Sequence, residues 1–139
     1  EEADEAGATH VTKDRLFAEA DVLTIHLVLV EATRNLVGAG ELAQMKPTSW
    51  LINTSRGPIV NEDALIQALQ SNRIAGAALD VFNTEPLPAN DLFRTLPNVL
   101  GTPHLGYVSR QQYEVYYSDT VAAIVAWLDD QRPESQVSR

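Results

Sequence analysis

Apolar and polar positions fall in alternating blocks along this chain. The longest apolar block, Val22-Leu23-Thr24-Ile25-His26-Leu27-Val28-Leu29-Val30, is rich in β-branched residues and predicts a strand buried on both faces. Ser49 to Asn53, Ile74 to Val81 and Asn98 to Gly101 predict three further strands. Helical signals stand between them. Thr12 is a candidate N-cap for a short helix reaching Ala20. Glu41 to Met45 makes one or two turns that stop near Lys46-Pro47. Asn61 caps a helix from Glu62 to about Asn72, with Leu65, Ile66 and Leu69 on one face and two acids at its positive end. Residues 82–97 carry Pro86, Pro88 and Pro97 and predict a loop with a brief turn at Asp91-Leu92-Phe93. Ser109 and Gln112 form a capping-box pattern that opens a long helix to about Leu128, striped by Tyr113, Tyr117, Val121, Ile124 and Leu128. Strands alternating with helices predict an α/β fold, a parallel sheet with helical crossovers and a long C-terminal helix. Residues 1–8 read as a lead-in, 9–128 as the folded body and 129–139 as a tail.

Three of these strands run into polar clusters, each with a different reactive side chain: Arg56 after Ile52-Asn53, Glu85 after Leu79-Asp80, and His104 after Leu100-Gly101. If the strands are parallel, all three side chains emerge at one sheet edge, where open α/β sheets bind ligands. A cation, a carboxylate and an imidazole gathered there are the parts of an acid–base site. Arg56 could hold a carboxylate through its guanidinium fork, or be an exposed loop residue. Thr54 and Ser55 could face a cofactor. Asp80 ends an apolar strand, where a carboxylate needs a hydrogen-bond donor; a ligand amide and a neighbouring backbone N–H both qualify. Glu85 alone reads as a solvated acid, but a carboxylate bonded to an imidazole favours the protonated ring, which makes a proton donor.

The other two His residues lack this setting. His26 reads as a packed core residue, with a cofactor pocket as the alternative. The three His positions have no metal-ligand spacing, so no metal site is expected. Neither G-x-G-x-x-G nor G-x-x-x-x-G-K-[ST] is present. A hydrolase built on Ser55, His104 and Asp80 would need a nucleophile elbow, and no G-x-S-x-G occurs.

Composition narrows the partners. A length of 139 residues suits one domain, and a net charge of −9 argues against nucleic acid or an anionic membrane surface. With no Cys, disulfides, thiolate metal sites and a Cys nucleophile are excluded. No apolar run approaches a membrane span, and no leader pattern is read, so a cytoplasmic location is expected. The opening Glu-Glu-Ala-Asp-Glu lacks Met, which is expected of a piece of a longer protein.

Several motifs occur in a linked order: Leu42-Ala43-Gln44-Met45-Lys46-Pro47, Leu51-Ile52-Asn53-Thr54-Ser55-Arg56-Gly57, Ala77-Ala78-Leu79-Asp80-Val81-Phe82, Glu85-Pro86-Leu87-Pro88, Leu96-Pro97-Asn98-Val99 and Thr102-Pro103-His104-Leu105-Gly106. From about Thr9 to about Ser118 the chain resembles the D-isomer-specific 2-hydroxyacid dehydrogenases, which include the phosphoglycerate dehydrogenases. The resemblance implies the C-terminal part of a Rossmann-type NAD domain and hydride transfer between NAD, with NADP left open, and a small 2-hydroxy or 2-keto acid. It implies that Arg56 binds the substrate carboxylate and carbonyl, that His104 is the acid/base, and that Glu85 hydrogen-bonds it. It also implies that Thr54, Ser55, Arg56, Asp80, His104 and Gly106 contact the cofactor; separately, an exposed strand edge suggests self-association, and the full-length parent is expected to be a homo-oligomer.

Two departures stand out. Leu27-Val28-Leu29-Val30 occupies a place where many members have Leu-Pro with Thr soon after. The Gly-rich loop, the ribose-binding acid and the substrate domain are not within this sequence. The isolated chain is therefore expected to be inactive, and the rival expectation is a truncated half-domain that acts only by association with another chain.

Overall fold

The structure, a computed structural model, describes residues 5–128. The expected start of the lead-in at 1–4 and the expected tail at 129–139 lie outside the described residues. Four strands form one parallel sheet: β1 (Val22–Ile25), β2 (Trp50–Asn53), β3 (Gly76–Leu79) and β4 (Val99–Gly101), in spatial order β1-β2-β3-β4. Leu23, Leu51, Ala77 and Val99 stand level across it, and so do Ile25, Asn53, Leu79 and Gly101. The sheet thus ends on one line, and the loops that follow leave it side by side.

The helices are α1 (Lys13–Glu19), α2 (Ala39–Gln44), α3 (Glu62–Gln70) and α4 (Arg110–Leu128). Thr12 caps α1 by accepting from the Arg15 N–H, and Asn61 caps α3 by accepting from the Ala64 N–H at 2.9 Å. Glu41 closes the start of α2 by accepting from the Gly38 N–H at 2.9 Å and pairs with Lys13 at 2.6 Å. The Lys13 bond, followed by that N–H, holds the Glu41 carboxyl below the ordinary range. α3 stops where Asn72 turns left-handed at φ +53°, a conformation Asn tolerates better than most residues. Leu42, Met45, Leu51, Ile59, Leu65, Leu69 and Ile74 form the centre of the core, each fully buried aliphatic contributing roughly 1.5–3 kcal/mol.

The sheet differs from the sequence reading in two ways. β1 ends at Ile25 rather than Val30, because its partner β2 runs out at Asn53 and leaves residues 26–30 without a ladder. That stretch is instead tied into a 3-10 turn at Glu31–Thr33 by the Thr33 hydroxyl, which donates to the Val28 carbonyl at 2.8 Å. β1 is an edge strand buried on one face only, with Leu23 and Ile25 inward and Val22 and Thr24 exposed. His26, read as a core residue, is exposed beyond the strand end and shares a 3.0 Å hydrogen bond with the Thr24 hydroxyl.

β3, buried on both faces, is four residues long rather than eight, matching β2 residue for residue. Gly76 faces Trp50 across that pair, and a Cβ at Gly76 would overlap the Trp50 ring and crowd the Asn98 carbonyl; glycine in a strand often marks such an approach. The connection from β3 to β4 holds the expected loop, with a 3-10 turn at Leu92–Arg94 capped by Asp91. The Phe82 and Phe93 rings meet at 5.9 Å and pin that loop to the core.

The chain divides into two compact units between His104 and Leu105. In the second, the Ser109 hydroxyl accepts from the Gln112 N–H at 3.2 Å at the start of α4, and Tyr113 stacks on Tyr117 at 5.5 Å. The expected apolar stripe of α4 is exposed throughout, as is Trp127, and none of the helix's described residues is buried. Among the described residues no helix is long and apolar enough to cross a membrane.

Candidate functional site

The polar clusters at the ends of β2, β3 and β4 are adjacent because the strands are parallel, neighbouring and level. Glu85 and His104 meet directly: the carboxylate Oε2 lies 2.7 Å from the imidazole Nδ1. The other Glu85 oxygen accepts from the Phe82 N–H at 2.9 Å, which fixes the carboxylate against its own loop. Burial pushes the Glu85 carboxyl up, but the His104 bond, the Phe82 N–H and the charges of His104 and Arg56 together hold it below the ordinary range. Arg56 therefore stands close enough for its charge to act on Glu85. Its guanidinium donates to the Ser55 carbonyl at 2.6 Å, and the side chain is exposed.

His104 sits in the left-handed region at φ +58°. For a residue with a Cβ this conformation costs about 1–2 kcal/mol, and such strain persists where surrounding contacts over-determine it, commonly at functional sites. Here the Glu85 bond and the N–H donated to the Thr102 carbonyl at 3.1 Å hold it. The pair's side chains are 33% and 39% exposed for Glu85 and His104, so solvent screens their attraction. Stability from the Glu85 carboxylate is complete above the unfolded carboxyl value of about 4.3 and is lost as pH falls through the lower folded value. Glu85→Gln is expected to destabilise the protein at neutral pH by under about 1 kcal/mol. Urea unfolding should show the gap closing on acidification; a gap of constant size down to strongly acidic buffer would mean that the charge is not its source.

Asp80 is buried, and the Thr102 hydroxyl donates to its Oδ1. Thr102 stands just past the end of the neighbouring strand β4. Ser55 is half-buried: its hydroxyl donates to the Ile25 carbonyl at 2.8 Å and accepts from the Leu27 N–H at 3.1 Å, stitching the end of β1 to the loop after β2. Thr54 is exposed at the same edge. Gly106 lies in the second unit and is exposed there.

Three supporting residues were not singled out from sequence. Gly57 lies against the Phe82 carbonyl and the Asn83 nitrogen, where a Cβ would overlap backbone atoms; it lets the loop bearing Arg56 touch the loop bearing Glu85. Glu62, the first residue of α3, accepts from the Asn83 N–H at 2.7 Å. Burial is the main cause that raises its carboxyl above the ordinary range, the Asn83 N–H pulling back and the charges of Asp91 and Asp63 adding to the rise. Asn53, the last residue of β2, is 1% exposed and bonds forward into the Arg56 loop. Polar residues at the last position of a buried strand were the available signal for it.

A cavity of about 660 Å³ opens beside the pair, lined by Phe82, Leu87, Phe93, Val99 and Thr102 among others, with His104 and Glu85 in its wall. The site therefore combines an imidazole held by a carboxylate, a nearby guanidinium and adjoining space. Such a set can move a proton at one atom while holding a negative charge at another.

Comparison with known proteins places the chain in a family. The model of the D-isomer specific 2-hydroxyacid dehydrogenase NAD binding domain matches residues 1–106. D-3-phosphoglycerate dehydrogenase of Synechocystis sp. is 48% identical over 122 residues, which cover 88% of this chain and 22% of that protein. Glyoxylate/hydroxypyruvate reductase B of Yersinia pestis is 45% identical over 118 residues, covering 85% and 35%. Among solved structures, a phosphoglycerate oxidoreductase from Vibrio cholerae superposes with a TM-score of 0.82 at 42% identity, covering 93% of this chain and 42% of that one. An NAD-complexed D-isomer specific 2-hydroxyacid dehydrogenase from Lactobacillus delbrueckii gives 0.75 at 29% identity, covering 94% and 44%. The chain spans less than half the length of each of these relatives.

Proposed function

The chain belongs to the D-isomer specific 2-hydroxyacid dehydrogenase family, within its NAD binding domain, and from that premise we propose that the intact protein interconverts a small 2-keto acid and its D-2-hydroxy acid. The observation that carries the reading is the 2.7 Å contact between His104 and Glu85 at the sheet edge, within reach of the Arg56 charge. Arg56 binds the substrate carboxylate, its fork suited to two oxygens at once. His104 gives its proton to the keto oxygen as the C=O π pair collapses onto that atom, and takes it back in the reverse direction. Glu85 holds the ring in position through the 2.7 Å bond to Nδ1.

The residues present suit one end of a dinucleotide by the chemistry of their donor set. Thr54 and Ser55 bring hydroxyls, and Asp80 brings a buried carboxylate, to the edge where parallel α/β sheets take cofactors. NAD(H), when bound, supplies or accepts the hydride at C2. Arg56 and His104, in the same unit, are further candidate contacts for it.

The named relatives point to the first substrates to try. The intact protein is expected to oxidise NADH when given glyoxylate or hydroxypyruvate, followed by absorbance; no turnover with any small 2-keto acid would remove the proposal. The exposed apolar surface of α4 favours a second reading, a catalytically inactive half-domain that works only by association with another chain, and the same assay separates the two.

A further inference from the structure

We propose that Asn53 is the positioning residue for Arg56, its carboxamide folding the loop after β2 so that the guanidinium is presented to substrate. The inference rests on the substrate-binding role given to Arg56 above and names what orients it. Asn53 is almost wholly buried, yet both ends of its side chain are used: Oδ1 accepts from the Ser55 N–H at 3.0 Å, and Nδ2 donates to the Arg56 carbonyl at 3.0 Å. Its own carbonyl accepts from the Asp80 N–H at 3.0 Å, so the residue is locked to β3 while it grips the loop.

Only a side chain with an acceptor and a donor at this length satisfies both backbone groups. A carboxylate keeps the acceptor for Ser55 but turns an oxygen toward the Arg56 carbonyl; alanine removes the acceptor from the Ser55 N–H and leaves the Arg56 carbonyl with the Ile59 N–H. The grip matters because the Ser55 and Gly57 anchors of this loop constrain neighbouring residues. Ser55 is tied to β1 through its hydroxyl, and Gly57 rests on the Phe82 carbonyl group. The Arg56 carbonyl accepts from the Asn53 carboxamide at 3.0 Å and, at the longer distance of 3.3 Å, from the Ile59 N–H. Without it the Cα of Arg56 can move by an ångström-scale distance, and misplacement of that size can cost about 100-fold in rate.

The test is a double-mutant cycle in the intact protein, with kcat/KM for keto-acid reduction as readout and each variant checked for folding by circular dichroism. Asn53→Ala alone is expected to lose about 100-fold. Added to Arg56→Ala, it is expected to change kcat/KM by no more than about twofold, since a residue that acts through Arg56 has nothing left to position. Losses that multiply in the double variant would overturn the proposal, because a general structural defect acts whether or not Arg56 is present. An Arg56→Ala variant with undiminished activity would instead overturn the role of Arg56 itself, a separate outcome. Should Asn53→Ala fail to fold, Asn53→Asp carries the same comparison, since it keeps the bond to the Ser55 N–H and loses only the one to Arg56.

Discussion

Alanine at position 104 is expected to lower keto-acid reduction by the intact protein about 100- to 10,000-fold, the range general acid catalysis supplies. In this reading the imidazole is the member of the Glu85 pair that passes a proton to the keto oxygen, and the Glu85 carboxylate holds its Nδ1 at 2.7 Å. The left-handed backbone at His104 complicates a single variant, so His104→Asn serves beside it. Asn tolerates positive φ and has no titrating group, so it separates loss of the proton donor from backbone strain. Steady-state reduction of a 2-keto acid with NADH is the measurement; both variants should fall together. Undiminished turnover in either would take His104 out of the chemistry.

Gly57→Ala is expected to destabilise the protein by about 3 kcal/mol, at the upper end for overpacking. The added Cβ meets the carbonyl group of Phe82 and the nitrogen of Asn83. Neither is a flexible side-chain end, so relief requires one loop to move away from the other. Those loops carry Arg56 and Glu85, so activity should fall along with stability. Urea unfolding gives the first quantity and kcat/KM the second. A midpoint equal to the parent's would mean that the two loops do not meet as described, and the spacing between guanidinium and carboxylate would need another origin.

The parallel sheet and the shared edge are legible in the sequence because they follow from chain pattern. Short apolar runs separated by capped helices leave parallel pairing as the simplest closure, and parallel strands put their ends together. That is why Arg56, Glu85 and His104, 48 residues apart at the extremes, could be gathered from sequence. Strand lengths were not legible, because an apolar residue does not reveal whether a partner lies beside it. Leu27 to Val30 look like strand yet have no ladder, since β2 stops at Asn53. His26 was misread for the same cause: once the strand is shortened, the residue lies outside it. The supporting contacts were hidden for a different one. The Thr102 bond to Asp80 and the Gly57 contact with Phe82 join positions 22 and 25 residues apart, and their geometry is set by the register of β3 against its neighbours. The Asn53 carboxamide is the exception, because its side-chain bonds reach only two and three residues ahead, a local habit of Asn side chains at turns.

The ring of Trp50 lying over Gly76 gives the sheet an optical reporter of its own. The chain has two tryptophans, one in each unit: Trp50 spans the β2–β3 pair, and Trp127 sits near the end of α4. With Phe in place of Trp127, intrinsic fluorescence would come from Trp50 as the sole indole emitter, and its emission would track the pairing of the two central strands that support Arg56 and Asp80.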